Sequence, residues 1–240
     1  FFVHLLQATM FSPGFRRVLG WCRPFIGPLA GLWGLGTGML TITIAALASP
    51  DCRCDWTTNW RRMPLLSEGG MYAPQRSVFM GTMPLTAVLW YLAGACLVDS
   101  LHQTMPDYRR TPRVLHLLLV VACVALVFVG FLDMKRFFGP HVVVAYTYFL
   151  ASEFFFVGQT WLLKRCYAEA DPETVQWRHR VPLWANFVGF GFGILFWYTY
   201  ANEYAIRSQV ELMTLGCQMI SIATSGPLLN SPPARRVKVD

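Results

Sequence analysis

Six apolar blocks of about twenty residues recur along this chain, and each is long enough to cross a hydrocarbon layer of about 30 Å as a helix. They lie at about 24–48, 78–98, 114–132, 141–163, 181–200 and 210–229. No long linker, low-complexity run or internal repeat interrupts the series. The spacing predicts an all-α fold, a polytopic integral membrane bundle of six transmembrane helices forming one domain over 24–229. Composition agrees, with 55% of the 240 residues hydrophobic and only 14% charged, whereas soluble domains carry about a quarter charged residues. So large an apolar surplus cannot be hidden in one soluble core, and lipid is the expected solvent for most of the protein.

Orientation is read from Lys and Arg, because connections rich in them resist translocation. With the N-terminus cytoplasmic, that side holds Arg16, Arg17, Arg23, Arg109, Arg110, Arg113, Lys164, Arg165, Arg178, Arg180, Arg235, Arg236 and Lys238. The other side holds Arg53, Arg61, Arg62, Arg76, Lys135, Arg136 and Arg207, four of them in the longest connection, where charge counts less. Both termini are therefore expected in the cytoplasm, as an N-terminal segment 1–23 and a basic tail 230–240. The chain begins at Phe1 rather than Met, as a fragment or processed form does, and the apolar stretch 1–11 is too short to span.

A net charge of +7 would suggest a nucleic-acid partner in a soluble protein. Here the basic residues cluster beside apolar blocks, the pattern of topology determinants and lipid-headgroup contacts, so no nucleic acid is expected. The seven cysteines, Cys22, Cys52, Cys54, Cys96, Cys123, Cys166 and Cys217, show no paired metal-type spacing. No metal or other cofactor is expected. A bond between Cys52 and Cys54 would be strained, so free thiols or separate partners are equally admissible. Cys22 and Cys166 lie beside membrane segments, where palmitoylation occurs.

The first block carries Gly27, Gly31, Gly34, Gly36 and Gly38, and the fifth carries Gly189, Gly191 and Gly193. Small residues let helices approach closely in lipid, and the second run lacks the preceding strand of a nucleotide loop. The sixth block is the most polar, with Glu211, Thr214, Gln218, Ser221, Thr224 and Ser225, so it should face the bundle rather than lipid. Trp56, Trp60, Trp177, Trp184, Trp197, Tyr198 and Tyr200 fall near block ends, as interfacial belts do.

Several polar residues fall on the side away from the cytoplasm. The first connection runs through Ser67 and Gln75 to Arg76 at headgroup depth, His141 opens the fourth block, and Asn202, Glu203, Tyr204 and Arg207 occupy the turn before the sixth, with Glu211 just inside it. Ser67, Gln75, Arg76, Asn202 and Tyr204 are the candidate headgroup-binding residues, since an Arg fork suits phosphate. His141 with Glu211 is the candidate catalytic set, because a His beside a carboxylate can move a proton in acyl transfer. Each has a plainer reading: Arg76 as a snorkelling anchor, His141 as a helix-end group and Glu211 as a hydrated carboxylate.

Glu153 joins the catalytic candidates from near the centre of the fourth block, where an acid costs roughly 2.5 to 3.5 kcal/mol on insertion scales. It should find an inward partner such as His116, Asn186 or Gln218. Ser67 has no neighbouring His and Asp in a hydrolase-like motif.

Pro64-Leu65-Leu66-Ser67, Gly70, Pro74 and Phe79 resemble the first connection of the Frag/DRAM/Sfk family of six-span membrane proteins. The triplet Pro74-Gln75-Arg76 looks more like its branch of post-GPI-attachment-to-proteins factor 2 than its DRAM branch. The run 145–152 is similar to the start of that family's fourth span, and Trp177-x-x-Arg180, Asn186-Phe187 and Asn202-x-Tyr204 agree with later parts. Where the family has Cys-Glu after Asn-x-Tyr, this chain has Ala205-Ile206, so the role of that acid would fall to Glu203 or Glu211.

The resemblance implies remodelling of the lipid of glycosylphosphatidylinositol (GPI) anchors in the Golgi or endoplasmic reticulum, by reacylation or lipid exchange on the lumenal leaflet. GPI lipid or phospholipid would be the ligand, and the chain would be either an acyltransferase or an accessory presenting lipid to a partner membrane acyltransferase. The alternative is a non-enzymatic DRAM-like regulator of lysosomal or stress signalling. A small transporter would need a polar path, for which Glu153, Gln159 and Gln218 are few.

Overall fold

The computed structural model describes residues 12–48, 65–71, 73–108, 110–202 and 206–225. Six long helices account for most of them: α1 Pro13–Ala48, α2 Gln75–Thr104, α3 Arg110–Phe131, α4 Phe138–Glu169, α5 Trp177–Ala201 and α6 Arg207–Ala223. A single-turn helix, Leu66–Gly69, precedes α2, and the 3-10 turns Pro106–Tyr108 and Pro172–Thr174 join helices. No strand occurs among the described residues.

Consecutive helices pack side by side, and α6 returns to pack on α1, so the bundle is a closed ring. Its centre is filled rather than hollow. Trp90 of α2 is fully buried, stacked on Phe156 at 6.0 Å and edge-on to Tyr148 at 5.7 Å, both from α4. Large apolar side chains also cover the outside, among them Phe154, Phe187, Phe190 and Ile194. Such an exterior suits lipid and would aggregate in water.

Five helices, α1 to α5, are long and apolar enough to cross a membrane. The sixth has 17 residues, about 26 Å of rise, the lower end of what can span. Its buried residues include Ser208, Glu211, Thr214, Gln218 and Ser221, a polar stripe at helical spacing turned away from lipid. Helix α6 lives in the bilayer only because α1, α4 and α5 receive that face.

Glycines set how closely the ring closes. A Cβ on Gly31 would stand 2.5 Å from the Ala223 Cβ and 2.7 Å from the Met219 carbonyl, and one on Gly27 would stand 2.7 Å from the Ile222 carbonyl. Here α1 lies directly on the backbone of α6. In α5, Gly189 faces Cys217 and Gly193 faces Glu153, while Gly191 points to open space. The Gly-x-Gly-x-Gly run is thus a packing face two residues wide.

Helix α1 begins eleven residues before the first apolar block, at Pro13. The basic stretch with Arg16, Arg17 and Arg23 is helical, carrying α1 beyond the hydrocarbon layer. At that end Arg23 pairs with the buried Asp99 of α2 at 2.7 Å. Cys52, Cys54 and the basic tail 230–240 lie outside the described residues.

Candidate functional site

Chain alternation puts the Leu66–Gly69 turn, the start of α2, the end of α3, the start of α4, the end of α5 and the start of α6 at one end of the ring. The turn is fastened to α6 by two carboxylates. Glu68 accepts the Leu65 amide at 2.9 Å and pairs with Arg207 at 3.1 Å. Glu211, buried, accepts the Leu66 amide at 2.9 Å. Backbone amides at a helix start lack helical partners, and charged acceptors hold them firmly. Ser67, the next residue, is thereby fixed over the ring.

Across from it, Arg76 at the start of α2 meets Asp133, just after α3, at 3.0 Å. The Asp133 side chain is 2% exposed and that of Arg76 28%. Asp133 also accepts the Lys135 amide at 2.9 Å and lies 3.7 Å from the exposed Arg136. One carboxylate thus stands among Arg76, Lys135 and Arg136, leaving this edge net positive.

His141 is buried, and its Nδ1 lies 2.6 Å from the Leu132 carbonyl. A carbonyl can only accept, so Nδ1 carries a proton, and in the neutral ring Nε2 is the acceptor. That Nε2 is buried without a hydrogen-bond partner. The orienting group of this histidine is a backbone oxygen, and Glu211, the carboxylate expected to serve it, is instead bonded to Leu66.

Ser67 lines three neighbouring cavities. The largest, about 60 Å³, is apolar and runs into the ring past Phe79, Met83, Leu126, Tyr148 and Met219, with Gly34 and Glu211 on its wall. The second, about 40 Å³, is bounded by His141, Glu211, Phe149, Phe196 and Tyr200. The third, about 10 Å³, touches Arg76, Asp133 and His141. A space of 10–15 Å³ admits one water, so the first two hold several small groups. An apolar shaft with convergent polar groups at its mouth is the usual form of a small-ligand site.

Of the residues singled out from sequence, Ser67, Arg76, His141 and Glu211 converge here. Gln75 is fully buried, with neither amide atom hydrogen-bonded. Asn202 is exposed and its amide donates to the Tyr198 carbonyl at 2.8 Å, capping α5 rather than joining the site. Tyr204 and Glu203 lie outside the described residues. Glu153 stands apart: Gln218 donates to it at 3.1 Å, and it packs against Gly193. Gln218 lies seven residues beyond Glu211, about 10 Å deeper along α6. The other suggested partners do not meet Glu153: His116 packs beside Tyr91, and the Asn186 amide is buried without a hydrogen bond.

Asp133 and Glu68 are the participants that sequence reasoning passes over. Asp133 is the only acid in the connection between α3 and α4, beside Lys135 and Arg136, and that isolation was its one signal. Among the described residues no group of three His, Cys, Asp or Glu could hold a metal ion.

The sequence profile of the Frag1/DRAM/Sfk1/Cwh43P N-terminal domain matches residues 27–225, from α1 to the end of α6. Comparison with curated proteins and with solved structures finds no match.

Proposed function

The chain belongs to the Frag1/DRAM/Sfk1/Cwh43P N-terminal domain family of multi-pass membrane proteins, and from that premise we propose that it remodels the lipid of GPI anchors on the lumenal leaflet of the Golgi or endoplasmic reticulum. Within the family, the resemblance of Pro74-Gln75-Arg76 to the post-GPI-attachment-to-proteins factor 2 branch supports this reading. The reaction class is reacylation or lipid exchange on a lyso-anchor, carried out directly or with a partner acyltransferase. Both termini face the cytoplasm in this reading, which puts the Ser67 end of the ring at the lumenal border.

The observation that carries the proposal is the meeting of Ser67, Arg76, His141 and Glu211 around an apolar shaft at one end of a lipid-embedded ring. An acyl chain fits the shaft by its chemistry. A phosphate fits the rim, where Arg76, Lys135 and Arg136 outnumber Asp133.

Lipid mass spectrometry of GPI-anchored proteins in cells lacking this chain tests the reading. The expected outcome is anchors retaining lyso or unexchanged lipid, with loss of surface retention. Unchanged anchor lipids would refute it and favour the regulatory alternative.

A further inference from the structure

We propose that Ser67 is an acyl-carrying nucleophile and His141 its proton acceptor, making the chain a transacylase that moves a fatty acyl group from a glycerophospholipid ester to the hydroxyl of a lyso-lipid. This step rests on the lipid-remodelling reading above and names the chemistry of the same site. The chain carries no hydrolase motif around Ser67, and the pairing emerges only where the ring brings α4 beneath the Leu66–Gly69 turn.

Three observations support it. His141 is locked by the Leu132 carbonyl in the tautomer that leaves Nε2 able to accept a proton. That Nε2 is buried and has no hydrogen-bond partner, an unfavourable state that a ligand or water engaging it would relieve. Ser67 and His141 line two cavities in common, and Ser67 alone of the pair continues into the apolar shaft. A serine hydroxyl is a weak nucleophile until a base takes its proton, and a base needs a third group to orient it. A backbone carbonyl fills that orienting place here, where the familiar triad uses a carboxylate.

In the first half-reaction Ser67 Oγ attacks the donor ester carbonyl and its proton passes to His141 Nε2. The donor C–O bond breaks, and the departing lysophospholipid oxygen takes that proton. In the second, the acceptor hydroxyl gives its proton to Nε2 and attacks the Ser67 ester. The new ester leaves, and Ser67 Oγ recovers the proton. One ester is broken and one formed, so no oxidant or energy source is needed. Glu211 is a positioning residue: it stands on the shaft wall but outside the proton path from Ser67 to His141, and acts by holding the Leu66 amide.

The test uses the full chain in phosphatidylcholine nanodiscs with a fluorophosphonate probe and peptide mass spectrometry. Wild type should be labelled at Ser67, Ser67→Ala not at all, and His141→Ala at least about tenfold more slowly. Ser67→Cys, which keeps shape and nucleophile, should collect a hydroxylamine-sensitive acyl group from labelled phosphatidylcholine. Glu211→Gln, which retains an acceptor for Leu66, should keep labelling that Glu211→Ala loses. Absence of label at Ser67, or normal anchor lipids in cells carrying only Ser67→Ala, would overturn the proposal. The pathway reading fails separately, only if deletion of the whole chain leaves anchor lipids unchanged.

Discussion

Replacing Arg76 by Ala removes the main counter-charge of a carboxylate that is 2% exposed, leaving Asp133 with one backbone amide and the distant, exposed Arg136. Stranding one partner of a fully buried pair costs about 3–5 kcal/mol. Arg76 is 28% exposed, so solvent already screens part of the attraction, and about 2 kcal/mol is the appropriate figure. For a chain of this length that is a fall in melting temperature of about 4–8 °C, readable by thermal denaturation in nanodiscs. A second substitution then separates structure from function. Asp133→Asn neutralises the stranded charge and keeps an acceptor for the Lys135 amide, so the Arg76→Ala/Asp133→Asn double variant should regain most of the lost stability. It should still fail to restore anchor lipids in deleted cells, because the fork proposed to bind phosphate remains absent. An unchanged melting temperature in Arg76→Ala would refute the claim that Asp133 depends on it. Recovery of remodelling together with stability in the double variant would show that Arg76 serves only Asp133.

Gly31→Ala should lower stability by about 1–3 kcal/mol, because its new methyl meets the backbone of α6. Gly36→Ala, with nothing within 4 Å, should cause no loss in the same melting assay. Glu153→Gln keeps an acceptor for Gln218 and should leave anchor remodelling intact, while Glu153→Leu should lose about 1 kcal/mol by leaving that amide only its longer 3.5 Å bond to Ser152. Substrate flux in reconstituted vesicles that Glu153→Gln abolishes would instead support a transporter. Single cysteines at Ser77 and Arg110, in a cysteine-free background, should react with a membrane-impermeant maleimide from opposite faces, and labelling from one face would dismantle the ring described above.

The helices were legible because a 20-residue apolar block has few alternatives to spanning, and the inward face of α6 followed from the cost of polar groups in lipid. The gathering of Ser67, Arg76, His141 and Glu211 followed from topology alone, since alternation fixes which helix ends share a border. Contacts were less legible. Asp133 meets Arg76 across 57 residues, and no local pattern announces such a pairing. Gln75 and Arg76 are adjacent yet one is sealed and the other half-open, a difference set by helix rotation, which hydropathy does not encode. Glu153 had three suggested partners, and the register of α4 against α6 selected Gln218. Helix α1 extends past its apolar block because helicity does not stop where hydrophobicity does.

Closure of the ring joins α6 to α1, two helices far apart along the chain. Until translation reaches Arg207 the other five form an open crescent, with the Gly27 and Gly31 face of α1 awaiting a mate not yet made. The wall carrying Glu211 and Met219 is missing from that crescent, and the shaft has no far side. A chain cut before Arg207 should therefore lack the far wall of the shaft, which is completed only at the seam between α6 and α1.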